Sequence, residues 1–352
     1  MKPKGFELHY KSSLHSLFEC GRITDRQLEH FLKRGIQILN PAADFGLDAL
    51  GQILPEIVIS AHPSYIKKMK IPYQATSFLA ASTRMSAPVS YVYKLPGKVA
   101  GGVPLLSGGK RGIGDNIFAS THRILLGSKA VIISALNLMV NKDKIWNWKF
   151  FGNFVKESRP DVYQDLDRLD KKLNQKKSMS QVVIARSDCT FKRLKIVEEY
   201  RNNKIAVLDP ENNIKVIFLT NQRGYDYASK AIVESDLVQY VTTGDHFDGL
   251  EALKDLRRKF RIEILLNDGG RQMSNGFRDL GILAEERITL EPFPGKKIIP
   301  DVEEIDPTSI MAMDGLGIDG NELEHALRIS SIKIGEERAN VYSYPLNESL
   351  IF

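Results

Sequence analysis

Apolar residues in the middle of the chain come in short, nearly unbroken runs. Ala130-Val131-Ile132-Ile133-Ser134, Gln181-Val182-Val183-Ile184-Ala185 and Lys215-Val216-Ile217-Phe218-Leu219 are of this kind. Such runs predict strands covered on both faces, the habit of parallel sheets. Leu237-Val238-Gln239-Tyr240-Val241 predicts another strand, Leu250, Leu253, Leu256 and Phe260 a helix, and Ile262-Glu263-Ile264-Leu265-Leu266 the strand after it. Alternation of this sort implies parallel crossovers, which are right-handed. Near the end, Leu327–Ile334 and Ala339–Tyr344 flank Gly335-Glu336-Glu337-Arg338, which predicts a β-hairpin with a glycine-containing turn.

Residues 1–85 have a helical texture. Thr24-Asp25-Arg26-Gln27 has the form of a capping box, followed by Leu28, Phe31, Leu32, Ile36 and Ile38 at near-helical spacing. Leu47, Leu50, Ile53 and Leu54 continue the apolar theme up to Pro55. We expect a helical N-terminal extension over 1–85 that packs on the rest or on a partner, then an α/β domain over 86–352. Within that domain, 142–180 has the composition of a polar, Lys-rich insertion. Trp146, Trp148, Phe150 and Phe151 pack at its start, and Asp161 to Lys177 predicts an exposed charged helix.

Composition narrows the class. The 352 residues are 43% hydrophobic and 26% charged, as in soluble globular proteins, which excludes wholesale disorder. The formal net charge of +6 is not gathered into one run, so it suits anionic small molecules as well as nucleic acid. No aromatic-plus-basic module of a nucleic-acid binder is recognisable. Cys20 and Cys189 give neither a disulfide framework nor a CxxC pair, so no metal site built on cysteine is expected. The most apolar stretch, Ile124 to Val140, is interrupted by Gly127, Ser128 and Lys129 and is too short to span a bilayer. Met1-Lys2-Pro3-Lys4-Gly5 leads into polar sequence unlike a signal peptide. The expectation is a cytoplasmic protein without membrane attachment.

Chemistry concentrates between Ile262 and Pro292. A strand ends at Leu266, Asn267-Asp268-Gly269-Gly270-Arg271-Gln272-Met273 follows, and a helix runs to about Leu280. Two glycines at the carboxyl end of a strand let the backbone pass close to a ligand, and the next helix offers free N–H groups to a phosphate. Asp268 stands at the same edge, placed to meet hydrogen-bond donors of a substrate. An ordinary βα turn, where Asp-Gly is common, accounts for the same residues without any ligand.

Asp268 to Asn275, continuing through Leu280-Gly281-Ile282-Leu283-Ala284-Glu285 to Arg287-Ile288-Thr289-Leu290-Glu291-Pro292, resembles the C-terminal reductase domain of the riboflavin-biosynthesis deaminase-reductase, a member of the dihydrofolate-reductase-like superfamily. The family pattern Glu-Gly-Gly-Pro-x-Leu, a helix, Ala-Gly-Leu-x-Asp-Glu and a strand reading Leu-Thr-x-x-Pro can be laid on this stretch without a gap. Lys94-Leu95-Pro96-Gly97-Lys98-Val99-Ala100 is similar to the family's Ser-Leu-Asp-Gly-x-x-Ala near its first strand, and Ile124 to Asn137 to its helix-then-strand unit. The resemblance covers about residues 88–346. It implies a mixed, mostly parallel α/β sheet flanked by helices, with a C-terminal hairpin, commonly in a homodimer.

The resemblance also implies NADPH-dependent hydride transfer to a pyrimidine-like or pterin-like heterocycle. Gly269, Gly270, Arg271, Gln272 and Met273 then hold the cofactor diphosphate, and Ser134 and Asn137 fall near the nicotinamide. Thr220, Asn221 and Arg223 sit by the adenosine ribose, where an arginine can pair with a 2′-phosphate. Arg186 meets a substrate phosphate. Asp268, Asn137 and Lys94 are the catalytic candidates. There are departures: Arg271 replaces the family's proline, Pro96 an aspartate, Asn137 a threonine and Ser90 a lysine. No His-x-Glu is followed by Pro-Cys-x-x-Cys, so the deaminase half and its zinc chemistry are not expected.

Two other readings compete. Ser107-Gly108-Gly109-Lys110-Arg111-Gly112-Ile113-Gly114 resembles the Gly-rich turn of short-chain dehydrogenases, and Tyr227-Ala228-Ser229-Lys230 their Tyr-x-x-x-Lys neighbourhood. The residue four before Lys230 is Asp226, however, and Asn267-Asp268-Gly269-Gly270 follows this lysine instead of preceding it. The other reading is a catalytically degenerate ligand-binding or sensor protein of the same fold.

Overall fold

The apolar runs of the mid-chain form the parallel part of a nine-stranded sheet. In the computed structural model the described residues are 14–15, 18–21, 23–81, 92–94, 113–127, 130–174, 179–269, 271–291, 303–305, 326–334 and 337–351. In chain order the strands are β1 (Gln37–Leu39), β2 (Ile57–Ile59), β3 (Tyr73–Ala81), β4 (Val92–Lys94), β5 (Ala130–Ser134), β6 (Ser180–Ile184) and β7 (Lys215–Thr220). Then come β8 (Val238–Thr242), β9 (Ile264–Asn267), β10 (Leu283–Glu291), β11 (Glu303–Ile305), β12 (Leu327–Ile334) and β13 (Glu337–Ser343). The large sheet is ordered β12-β13-β10-β3-β9-β5-β6-β7-β8. Every pair from β10 to β8 is parallel, whereas β13 runs antiparallel to both β10 and β12. This is the mixed, mostly parallel sheet with a terminal hairpin that the dihydrofolate-reductase-like resemblance implies. The hairpin turn itself, 335–336, lies outside the described residues.

The expected boundary at residue 85 needs correction. Tyr73–Ala81 is a central strand, paired with β10 on one side and β9 on the other. Its inner residues include the buried Gln74 and Thr76 beside Tyr73 and Ala75, so it lacks the apolar run that marks β5 and β7. The segment before it is not a separate helical layer either. Short helices alternate there with β1 and β2, an antiparallel pair, and Leu14, Phe31, Leu50, Leu54 and Val58 join the same apolar core as the sheet. The helix Asp25–Arg34 does carry the expected capping box. From its last turn the buried Arg34 donates to the carbonyls of Ala284 and Tyr344 and to Ser343 Oγ, fastening the segment to β10 and the hairpin.

The 142–180 segment also differs from expectation. The helices Trp148–Ser158 and Pro160–Asn174 pack on each other and on Ile113–His122, and Pro160–Asn174 also packs on Asp48–Ile53. Val162, Leu166 and Leu169 form a fully buried stripe on the helix expected to be exposed. Spacings of four and three residues put them on one face, so most of the charges cover the other. Asp165 on this helix accepts from Leu50 N at 3.0 Å, and Asp170 from Trp148 Nε1 at 2.7 Å. The aromatic packing at the start of the segment is as expected, with Trp146 and Phe150 stacked at 5.1 Å. No described helix is long and apolar enough to cross a membrane.

Glu285, Glu286 and Arg287, consecutive on β10, are all fully buried. Glu285 accepts from Ser60 N at 2.6 Å, Ser60 Oγ at 2.9 Å and Tyr73 Oη at 3.1 Å, and lies 2.8 Å from the Arg287 guanidinium. On the opposite face of the strand, Glu286 takes Arg278 through both oxygens, at 3.0 and 2.8 Å, and the Tyr344 hydroxyl at 2.6 Å. Burial pushes the Glu285 carboxyl up and draws Arg287 down to about 9.

Candidate functional site

Because β3, β9, β5, β6 and β7 run parallel, their carboxyl ends share one edge of the sheet, where open α/β sheets bind ligands. The expected corner is on that edge. β9 ends at Asn267, Asp268 N donates to Ile132 O at 2.9 Å, and the helix Arg271–Asp279 begins just beyond. Three polar residues pin the turn. Asn267 Nδ2 donates to Ser274 Oγ at 3.0 Å, Ser274 Oγ lies 3.1 Å from Thr76 Oγ1, and Thr76 Oγ1 donates to Asn267 O at 2.8 Å. Thr76 escaped sequence reasoning, since it meets Asn267 only once β3 and β9 pair, and Ser274 was given no part although it lies seven residues on from Asn267 in the same motif.

Gly269 is half-buried, and its N–H donates to Asn267 Oδ1 at 2.9 Å, so this amide is already engaged within the turn. A Cβ at position 269 would lie 2.2 Å from Met273 Sδ and 3.0 Å from Met273 Cβ. The close approach to Gly269 is therefore made by the flexible side chain of Met273 on the following helix. Gly270 lies outside the described residues. Arg271 and Gln272 open the helix, where the first N–H groups lack intrahelical acceptors.

Asp268 does not stand open to solvent. Its side chain is 4% exposed and forms an ion pair with Arg123, itself 3% exposed. Arg123 leads a π-helical turn, Arg123–Gly127, and its guanidinium lies 4.0 Å from the centroid of the Phe151 ring. Burial pulls Arg123 down to about 9, against the charge of Asp115. The pair was not legible in the sequence, because the partners are far apart in the chain.

Ser134 and Asn137 are together, but with each other. The Ser134 hydroxyl caps the helix Ala135–Val140, accepting from Asn137 N at 3.1 Å and bonding to Asn137 Oδ1. At the end of β7, Thr220 is fully buried against Gly224, whose Cβ would fall 2.0 Å from Thr220 Oγ1. Asn221 caps the helix Gln222–Ala228 by accepting from Gly224 N at 2.9 Å, and it donates to Asp245 O at 2.9 Å. Its own N–H reaches Arg186 O at 3.1 Å, joining the ends of β6 and β7. Arg186 and Arg223, by contrast, are exposed at this edge.

Lys94 is placed apart. It pairs in register with Glu303 in a two-stranded antiparallel sheet of β4 and β11, outside the nine-stranded sheet. The motif 95–100, Ser90 and the Gly-rich 107–112 lie outside the described residues. Gly114, next to that stretch, is buried within the helix Ile113–His122. Tyr225 donates to Glu234 at 3.1 Å, and the Lys192 ammonium lies 5.0 Å from the centroid of the Tyr227 ring.

No family model matches the chain, and no curated protein matches it. Among solved structures it is similar to Acinetobacter baumannii RibD, at 12% identity and a TM-score of 0.41, over 78% of this chain and 58% of that one. The chain thus spans under two thirds of the length of that protein. A pyrimidine reductase-like protein from Corynebacterium diphtheriae matches at 13% identity and a TM-score of 0.43, over 85% of this chain and 99% of that one. The riboflavin biosynthesis reductase of Saccharomyces cerevisiae matches at 10% identity and a TM-score of 0.36, over 78% and 90%.

Proposed function

We propose that this protein is an NADPH-dependent reductase acting on a pyrimidine-like or pterin-like heterocycle. The observation that supports the reading is the β9 corner. It lies between β3 and β5 at the carboxyl edge, and the helix that starts there carries the residues with the family resemblance. Amides of that first turn, excluding Gly269, are the donors for a diphosphate. The residues at this edge fit such a cofactor: Arg186 and Arg223 are exposed at the ends of β6 and β7, suited to phosphate, while the Asp268 charge is paired off. When bound, the cofactor supplies the hydride.

The protein's part is placement. The Thr76–Asn267–Ser274 triangle holds the corner rigid, and the caps at Ser134 and Asn221 fix the neighbouring strand ends. A fixed geometry of this kind gains rate through orientation, with little demand for proton chemistry. In this reading Asp268 and Asn137 shape the floor of the site, and Lys94 has no assigned part.

One set of contacts favours a second reading, a ligand-binding protein without turnover. The polar groups of Asp268, Ser134, Asn137 and Asn221 are already engaged inside the protein. Thermal unfolding with and without NADPH or NADH, followed by cofactor oxidation in the presence of pyrimidines and pterins, separates the two. Stabilisation with oxidation is the expected result. Stabilisation without oxidation by any such heterocycle selects the binding protein, and no shift with either cofactor removes both.

A further inference from the structure

A carboxylate beside a diphosphate site is a liability, because like charges at short range repel strongly where water is excluded. Asp268 immediately precedes the turn whose amides are assigned to the diphosphate, and its side chain is buried. What it meets is Arg123, held from three sides: by Asp268, by the Phe151 ring at 4.0 Å and by Ala119 O at 3.4 Å. Asp115, on the helix that runs into Arg123, adds a second negative charge that acts on the guanidinium. The guanidinium arrives there from a π-helical turn, a local irregularity that is frequent at functional sites.

We propose that Arg123 is a positioning residue that cancels the charge of Asp268 and so makes the β9 corner able to seat an anion. Arg123 acts through Asp268 and touches no ligand. The inference rests on the reading of the corner as a diphosphate site, and it differs from a plain structural anchor in what happens when each charge is removed. Loss of Asp268 alone removes a negative charge from the corner and keeps Arg123, which favours an anion. Loss of Arg123 alone leaves a bare buried carboxylate, which repels one.

The test is the affinity of the full chain for NADPH and, separately, for inorganic pyrophosphate, in the wild type, D268N, R123M and the R123M/D268N double variant. We expect D268N to bind pyrophosphate as tightly as wild type or up to about tenfold more tightly at low salt. R123M should lose about tenfold or more, and the double variant should return to within about threefold of wild type. R123M carries an unpaired buried charge and is at risk of misfolding. D268N and the double variant leave no bare carboxylate at position 268, so they decide the question by themselves. Weakened binding in D268N, or a double variant as weak as R123M, makes the pair a mere anchor and overturns the inference. A wild type that binds pyrophosphate but not NADPH overturns the proposed cofactor and leaves the Arg123 comparison intact. A wild type that binds neither overturns both.

Discussion

At the scale of single residues, Gly269 is set by the Met273 thioether. Gly269→Ala forces Met273 aside, and the expected loss is about 1–3 kcal/mol of stability, in the range of overpacking, measured by urea unfolding. Gly269→Ala/Met273→Ala should recover part of this, since Sδ and Cε are the nearest atoms. A double variant no better than the single one means that the strain lies elsewhere. Glu285 and Arg287 are a second residue-scale case. Glu285→Gln leaves Arg287 buried without its counter-charge and should cost about 3–5 kcal/mol, while Glu285→Leu/Arg287→Met falls much closer to wild type. Equal losses in both would show that the Ser60 and Tyr73 hydrogen bonds, not the ion pair, dominate.

At the scale of elements, the helix Asp25–Arg34 carries a pH response. His30 Nε2 faces Leu346 N at 3.4 Å and the Tyr65 hydroxyl, so it must accept the backbone N–H and stay neutral. Burial, with Arg34 and Lys33 adding repulsion, lowers its pKa to about 4. The folded protein therefore binds fewer protons than the unfolded chain between about 6.5 and about 4, and stability is full above that window and falls with pH across it. Subtracting the unfolding profile of His30→Gln from that of wild type should leave this slope; superimposable profiles would exclude His30 as its source. Legibility in the sequence followed the same physics. β5, β6 and β7 were readable because unbroken apolar residues dominate them, with Gln181 of β6 a buried polar exception. β3 was not, because Gln74 and Thr76 are buried polar residues. The helix Pro160–Asn174 was read as exposed because charged neighbours diluted the stripe of Val162, Leu166 and Leu169. Leu166→Ala should cost about 2–5 kcal/mol, against about 0.5 kcal/mol or less for Leu136→Ala, since Leu136 is 59% exposed. Similar thermal shifts for the two would return the helix to the surface.

At the scale of the molecule, the segment before residue 86 is part of the sheet and not an appendage. A chain beginning at residue 86 lacks β3, Phe31 and the Arg34 clasp on Ala284 and Tyr344. It is expected to show no cooperative thermal transition by circular dichroism. A sharp transition in that chain would restore the two-part organisation. The place of the candidate site was legible, since a strand followed by Asp-Gly-Gly and a helix puts the corner at a carboxyl edge. What surrounds it was not, because Arg123, Phe151 and Thr76 are brought in by the fold from distant parts of the chain.

The central position of β3 also shapes how the protein is born. Tyr73 is made early, yet its strand partner Ile264 leaves the ribosome only after most of the chain has been synthesised. At ordinary elongation rates the nascent β3 waits on the order of ten seconds or longer with both edges open. Assembly of the sheet around β3 thus waits on long-range pairing, slow by the measure of contact order. During that interval the unpaired edges of β3 are open to pairing with another chain.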